Sequence, residues 1–102
     1  MILEAATLTI KKGDEAKFEQ AMAKAKLVIS AAPGFRGMEI GRSIENPGRY
    51  LLRVWWNKLE DHTVGFRESE RFKDWRGLIG PYFDGTPVVE HYQAPFESIP
   101  VK

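Results

Sequence analysis

Residues 49–57 read Arg-Tyr-Leu-Leu-Arg-Val-Trp-Trp-Asn, and this stretch decides the fold. Successive residues of a β-strand point to opposite faces of the sheet. One face of this strand carries Tyr50, Leu52, Val54 and Trp56, and the other carries Leu51, Arg53, Trp55 and Asn57. Both faces are apolar and each holds a tryptophan, but only one of them can lie beneath the helices of a small domain. We therefore expect the second face to be covered by another copy of the chain.

The residues before this strand predict a strand, a helix and another strand. Residues 2–10 are β-prone and contain neither glycine nor proline. Asp14 is a favourable N-cap for a helix, and apolar residues then recur at helical spacing until Pro33-Gly34 ends the pattern. Residues 35–45 alternate and predict the second strand. Its apolar face carries Met38, Ile40 and Ile44.

The remaining elements follow from turn and capping signals. Asn46-Pro47-Gly48 predicts a type II turn before the strand that begins at Arg49. Residues 57–60 resemble a capping box with Asn57 as the N-cap. A short helix to about residue 66 and a second helix near 69–79 are expected next. Residues 87–93 predict the last strand.

The predicted order is β-α-β-β-α-β, the split βαβ arrangement called ferredoxin-like. We expect an α+β fold in which two helices cover one face of a four-stranded antiparallel sheet. Residues 1–93 would form this single domain, since 102 residues support only one core. Residues 94–102 would form an extended C-terminal tail.

Composition narrows the classes of function. Fifteen Lys and Arg against fourteen Asp and Glu give a net charge of +1, with the charges mixed along the chain, which does not favour nucleic acid. The chain has no cysteine, so disulfides and thiolate chemistry are excluded. A metal site is not expected, because the remaining possible ligands show no spacing motif. The chain shows neither a signal peptide nor an apolar run long enough to span a membrane, and a cytoplasmic location is expected.

Aromatic residues make up 12% of the chain and predict an aromatic pocket or a buried subunit interface. At this point the chain resembles the antibiotic biosynthesis monooxygenase domain, a dimeric α+β barrel. The resemblance covers residues 2–93 and is carried by the order of elements and by three segments. These are Pro33-Gly34-Phe35-Arg36-Gly37, Val54-Trp55 and the helical stretch from His62 to Trp75.

The resemblance implies two kinds of chemistry. Haem-degrading members use an Asn, a Trp and a His ligand at positions that fall near Ala6, Phe66 and Arg76, and none of these matches. Cofactor-free members use Asn, Trp and Arg to hold a phenolic substrate, deprotonate it and stabilise its anion. Oxygen reacts readily only with such an ionised, electron-rich ring, so the site needs a base and an oxyanion partner in a water-poor pocket.

We therefore expect a monooxygenase that uses no cofactor and acts on a small aromatic phenol, quinol or polyketide-like substrate. His62 would be the base and Arg76 the anion partner. Asn57 is a third catalytic candidate, although its position favours the role of a helix N-cap. Substrate contacts are expected from Trp55, Trp56, Phe66, Phe72, Tyr82 and His91. The alternatives are a non-catalytic ligand-binding or stress-related module of the same fold, or a haem-binding relative. The predicted partners are a second copy of the chain and the small aromatic substrate.

Overall fold

The computed structural model describes residues 1–100 and contains the predicted order of elements. The strands are β1 (Ile2–Thr9), β2 (Phe35–Arg42), β3 (Arg49–Trp56) and β4 (Val88–Tyr92), and the helices are α1 (Glu15–Ile29) and α2 (Glu70–Ile79). A π-helical segment (Asp61–Phe66) precedes α2, and a 3-10 turn (Gly80–Tyr82) follows it. No helix among these described residues is long and apolar enough to cross a membrane.

The sheet has the order β2-β3-β1-β4 with every neighbouring pair antiparallel, which confirms the ferredoxin-like fold. Both helices pack on one face, where Phe18 of α1 and Ile79 of α2 join the apolar core. The predicted division of β3 is also confirmed. Tyr50, Leu52, Val54 and Trp56 are at most 3% exposed, whereas Leu51 on the other face is 43% exposed.

The second face of the sheet is open in the single chain, and we call it the open face. Strand register places Leu3, Trp55 and Tyr92 side by side across β1, β3 and β4 on this face. Leu51 and Val88 flank Thr7 in the same way. The row between these two consists of Arg53, Ala5 and Glu90. The open face therefore carries two apolar rows separated by a row with charged side chains.

The predicted turn before β3 and the predicted end of β2 are wrong in detail. Gly48 is not among the residues with positive φ, so the turn before β3 is not type II; it is closed by the Arg49 N–H donating to the Asn46 carbonyl at 2.8 Å. β2 ends at Arg42 rather than near 45, because residues 43–48 form this turn. Ile44 consequently leaves the strand face and is 89% exposed.

The predicted caps also differ from the structure. The Asp14 side chain makes no capping hydrogen bond, and the Glu15 carboxylate accepts from the Gly13 N–H instead. The capping box at Asn57 does not form, since the Asp61 carboxylate accepts from the Lys58 N–H at 3.0 Å. α1 ends three residues before the predicted Ala32 because tighter i to i−3 hydrogen bonds close its last turn.

Residues 94–100 contain neither helix nor strand, and Phe96 is 99% exposed. The last two residues of the predicted tail, 101 and 102, lie outside the described residues. The boundary of the domain at residue 93 stays a prediction.

Gly34 lies in the loop between α1 and β2, where it packs against the segment that follows β3, and its replacement by alanine should destabilise the fold. Its φ is +83°, and a Cβ there would overlap the Asp61 side chain. Its carbonyl also accepts from the Asn57 N–H at 2.9 Å. We expect Gly34→Ala to lower the free energy of unfolding by about 2–4 kcal/mol, from left-handed strain and the displaced cap together.

The matched control is Gly13→Ala, because Gly13 has a φ of +94° and no heavy atom within 4 Å of the added Cβ. Only the backbone strain should then act, and we expect it to lower the free energy of unfolding by about 1–2 kcal/mol. Urea denaturation of both variants measures the difference. Equal losses would show that the Asp61 contact does not matter.

Candidate functional site

A cavity of about 630 Å³ lies between the inner face of the sheet and α2. Its apolar walls include Phe66, Phe72 and Trp75, and both Phe72 and Trp75 meet the Phe66 ring edge to face. Such a volume suits a small organic ligand. The aromatic walls would favour a flat, unsaturated one.

Four polar side chains with proton-transfer or charge chemistry line the same cavity. Glu4 and His62 are 5% and 3% exposed. Arg67 and Arg76 also line it, but both are exposed. The cavity therefore combines a buried acid–base pair with guanidinium groups in contact with solvent.

Glu4, His62 and His91 form a chain of close polar contacts, which we call the Glu–His–His chain. Glu4 Oε1 lies 3.4 Å from His62 Nε2, and His62 Nδ1 lies 2.8 Å from His91 Nε2. Both ring nitrogens of His62 are thus engaged. Trp56 donates its indole N–H to Glu4 Oε1 at 3.0 Å and so anchors the carboxylate.

The backbone explains why these residues meet. Glu4 and His91 are directly paired residues of β1 and β4, so their side chains lie together on the inner face. His62 comes from the π-helical segment, whose wider turn brings the ring over Trp56, with centroids 5.5 Å apart and planes 19° from parallel. Stacking on a fully buried indole fixes the orientation of the imidazole.

Burial favours the neutral forms of both partners. It raises the pKa of Glu4, an effect that the Trp56 hydrogen bond and the charge of Arg67 partly offset. Burial, followed by the nearby His91 and Arg67, lowers the pKa of His62 to about 4. His91 also has a lowered pKa, through burial and then Arg67. At neutral pH the histidines are therefore uncharged hydrogen-bonding groups.

The low pKa of His62 predicts a loss of stability in acid. The unfolded chain takes up this proton near pH 6.5 and the folded chain only near about 4. The contribution of His62 is therefore complete above pH 6.5 and is lost as the pH falls towards 4, by about 3 kcal/mol in all. Glu4 has the opposite effect on stability. Its pKa is raised in the folded state, so the folded chain binds this proton at a higher pH than the unfolded chain and gains stability in acid.

A His62→Gln variant separates the two effects, since it keeps Glu4 and removes the imidazole. The free energy of unfolding of the original chain should fall relative to that of the variant between pH 6.5 and about 4. Urea titrations at several pH values measure it. Parallel curves for the two proteins would contradict the prediction.

The structure brings six of the nine predicted site residues to this region. His62, Phe66, Phe72 and Arg76 line the cavity, His91 bonds to His62, and Trp56 lies beneath the His62 ring. Three others lie elsewhere. Trp55 is on the open face, Asn57 is an exposed residue after β3, and Tyr82 is in the 3-10 turn, with Phe83 lining the cavity in its place. Trp55, Asn57 and Tyr82 are therefore not part of the site that we propose below.

Sequence reasoning missed Glu4 and Arg67. Glu4 could have been found, because it is the one acid in β1 and shares its parity with the inward-facing Ala6 and Leu8. Arg67 gave no such signal among the other charged residues near it. Within residues 1–100, no group of three or more His, Cys, Asp or Glu side chains is arranged to hold a metal ion.

The fold and the cavity together define a class of small α+β proteins, in which a ferredoxin-like sheet and two helices enclose an aromatic-lined site. Residues 1–78 match the family described as antibiotic biosynthesis monooxygenase. A Bacillus subtilis (strain 168) protein, the uncharacterized YczJ, is 41% identical over 93 residues, which are 91% of this chain and 98% of that protein. The chain therefore belongs to the antibiotic biosynthesis monooxygenase family.

Solved structures agree with this assignment. A presumed antibiotic biosynthesis monooxygenase from Bordetella bronchiseptica superposes with a TM-score of 0.90 at 40% identity, over 93% of this chain and 97% of that one. SnoaB from Streptomyces nogalater, a cofactor-independent oxygenase, superposes with a TM-score of 0.81 at 16% identity, over 98% of this chain and 97% of that one. At 16% identity, the likeness to SnoaB shows the shared fold alone.

Proposed function

We propose that this protein is a cofactor-independent monooxygenase of a small hydroxylated aromatic compound, such as a phenol, a quinol or a polyketide-like ring. The observation that carries the proposal is the buried Glu4–His62 pair at an aromatic-lined cavity. The match to a family whose relatives include a cofactor-independent oxygenase of the same fold supports it.

The proposed reaction begins with removal of the ring hydroxyl proton. The resulting anion is electron-rich enough to give an electron to O₂, and a carbon–oxygen bond then forms. One oxygen atom of O₂ ends as a carbonyl on the substrate. The other leaves as water with two hydrogens that the substrate gives up, so no external reductant is needed.

Glu4 is the proposed base, since its raised pKa brings it closer to neutrality, where a general base works best. His62 positions the carboxylate and shares its proton. Arg76 and Arg67 would stabilise the aromatic anion from the cavity wall. Trp75 would contact the substrate ring, because Trp56 is fully buried beneath His62.

Oxygen consumption with a panel of quinols, naphthols and anthrones tests the proposal. We expect turnover with at least one compound, and Arg76→Ala should reduce kcat/KM about 10–100-fold through loss of anion stabilisation. Arg71→Ala is the matched control, because Arg71 is an exposed arginine of the same helix that does not line the cavity. Binding of these compounds without oxygen uptake would instead identify a ligand-binding module.

We also propose that the protein is a homodimer that pairs through the open face. That face presents Leu3, Leu51, Trp55, Val88 and Tyr92. Each large apolar side chain that a partner buries contributes about 1.5–3 kcal/mol. A two-fold axis through the sheet would cover the same surface on both copies at once.

A further inference from the structure

The Glu–His–His chain runs from the cavity to the edge of the sheet. A general base at Glu4 does not by itself require the outer imidazole of His91. We propose that His62 and His91 conduct protons in both directions between Glu4 and solvent, by a route that does not pass through the substrate. This proposal rests on the proposed function for its role in turnover. The proton path itself is a property of the protein without substrate.

The geometry supplies a continuous path. Glu4 and His62 are almost completely buried, whereas His91 is half-buried on the edge strand β4 and does not line the cavity. The contacts along the path are 3.4 Å between Glu4 and His62, and 2.8 Å between the two imidazoles. A substrate that fills the cavity would separate Glu4 from water on that side but would leave His91 accessible.

The chemistry of imidazole couples the two rings. A neutral imidazole carries one N–H and one bare nitrogen, and both nitrogens of His62 face a partner. When Glu4 is protonated, it can donate to His62 Nε2, which places the N–H of each ring on Nδ1. When Glu4 is ionised, each ring carries its N–H on Nε2, so that His62 donates to Glu4 and His91 donates to His62.

One proton leaves when the first arrangement becomes the second. The Glu4 carboxyl gives its proton to His62 Nε2, His62 Nδ1 gives its own to His91 Nε2, and His91 Nδ1 releases a third to water. Each ring gains one proton and loses one, and Glu4 gains one negative charge. The step needs no oxidant, reductant or other reactant.

The surroundings favour neutral carriers. The groups that face the path are Arg67 near all three residues, the Trp56 indole of β3 on Glu4, and Arg76 on the shared cavity wall. No carboxylate besides Glu4 lies within ion-pair distance of either histidine in residues 1–100. The positive charge of Arg67 disfavours an imidazolium at both rings. Protons would therefore shift through coupled tautomers rather than rest on a charged histidine.

Ring nitrogen NMR tests the path without any substrate. Long-range proton–nitrogen spectra assign the tautomer of each histidine from about pH 5 to about pH 9. We expect both rings to change from Nδ1–H to Nε2–H at one common midpoint, which is also the midpoint of the Glu4 carboxyl carbon. In Glu4→Gln, both rings should keep a single tautomer throughout. Fixed tautomers in the original chain, or changes at different pH values, would overturn the proposal.

A kinetic readout places the path in turnover. We expect His91→Ala to lower kcat about tenfold or more while KM stays the same, because general acid–base steps contribute at least this much. Added imidazole should restore kcat in this variant and leave the original enzyme unchanged. If His91→Ala changed both kcat and KM and added imidazole did not restore kcat, the role of His91 would be merely structural.

The two experiments separate failure of the path from failure of the proposed function. A protein that consumes no oxygen but shows the coupled change of tautomers would overturn the monooxygenase and leave the proton path in place. An enzyme that consumes oxygen but whose two histidines change tautomer independently would overturn the proton path and leave the monooxygenase in place.

Discussion

Replacing Glu4 with glutamine is expected to abolish most oxygen consumption while leaving the fold at least as stable. The amide is isosteric and can still accept the Trp56 N–H that now bonds to Oε1. It cannot accept a proton from a phenol near neutral pH. Loss of a positioned general base lowers kcat by about 10²–10⁴-fold, so this should be the largest kinetic effect of any conservative change in the cavity.

The stability of the same variant should have a definite pH dependence. The pKa of Glu4 is raised by burial, so its carboxyl favours the folded state below its unfolded pKa of 4.5 and loses this contribution as the pH rises through the folded pKa. Glutamine has no charge to bury, and Glu4→Gln should therefore gain stability over the original chain as the pH increases. Urea denaturation at several pH values, beside oxygen uptake, measures both effects.

Glu68→Gln is the matched control, since Glu68 is exposed and does not line the cavity. It should leave oxygen uptake unchanged. Full activity in Glu4→Gln would remove Glu4 from the mechanism. A loss of stability above pH 7 would show that the buried carboxylate is well satisfied as an anion.

Replacing Trp55 with lysine is expected to convert the proposed dimer into monomers. Trp55 lies in the row of the open face that also contains Leu3 and Tyr92. In a two-fold dimer the substitution removes two tryptophans and places two positive charges at the interface. Buried tryptophans of interfaces contribute about 2–4 kcal/mol each, so we expect the dissociation constant to rise about 100-fold or more.

Sedimentation velocity over a range of micromolar concentrations measures this change. Ile44→Lys is the matched control, because Ile44 is equally apolar and 89% exposed but lies in the turn outside the sheet. It should leave the association unchanged. A single-copy original chain at these concentrations would contradict the proposed dimer, as would a Trp55→Lys variant that associates normally.

The fold could be predicted because its determinants are periodic and local. The alternation in β3 assigned Tyr50, Leu52, Val54 and Trp56 to one face, and all four are buried. The order of elements followed from helical spacing and from glycine and proline breaks. The details that failed depend on competition between nearby donors and acceptors, as where Asp61 rather than Asn57 caps the turn after β3.

The candidate site was only partly predictable. His62 and Arg76 were identified by residue type, and both line the cavity. Glu4 was missed because its partners come from β3, β4 and the π-helical segment, far away in the chain. Which tryptophan lies near the site depends on which face of β3 lies beneath the helices. The polar Arg53 and Asn57 on the Trp55 face were a signal that Trp56 points inward.

Strand β4 presents His91 on its inner side and Val88 and Tyr92 on its outer side, because successive residues alternate. It has only five residues and a single neighbouring strand, so little within one chain restrains it. A second subunit resting on Tyr92 would clamp the same backbone that carries the outer imidazole. Dilution of the protein would then separate the subunits and loosen His91 before it moved any group that lines the cavity.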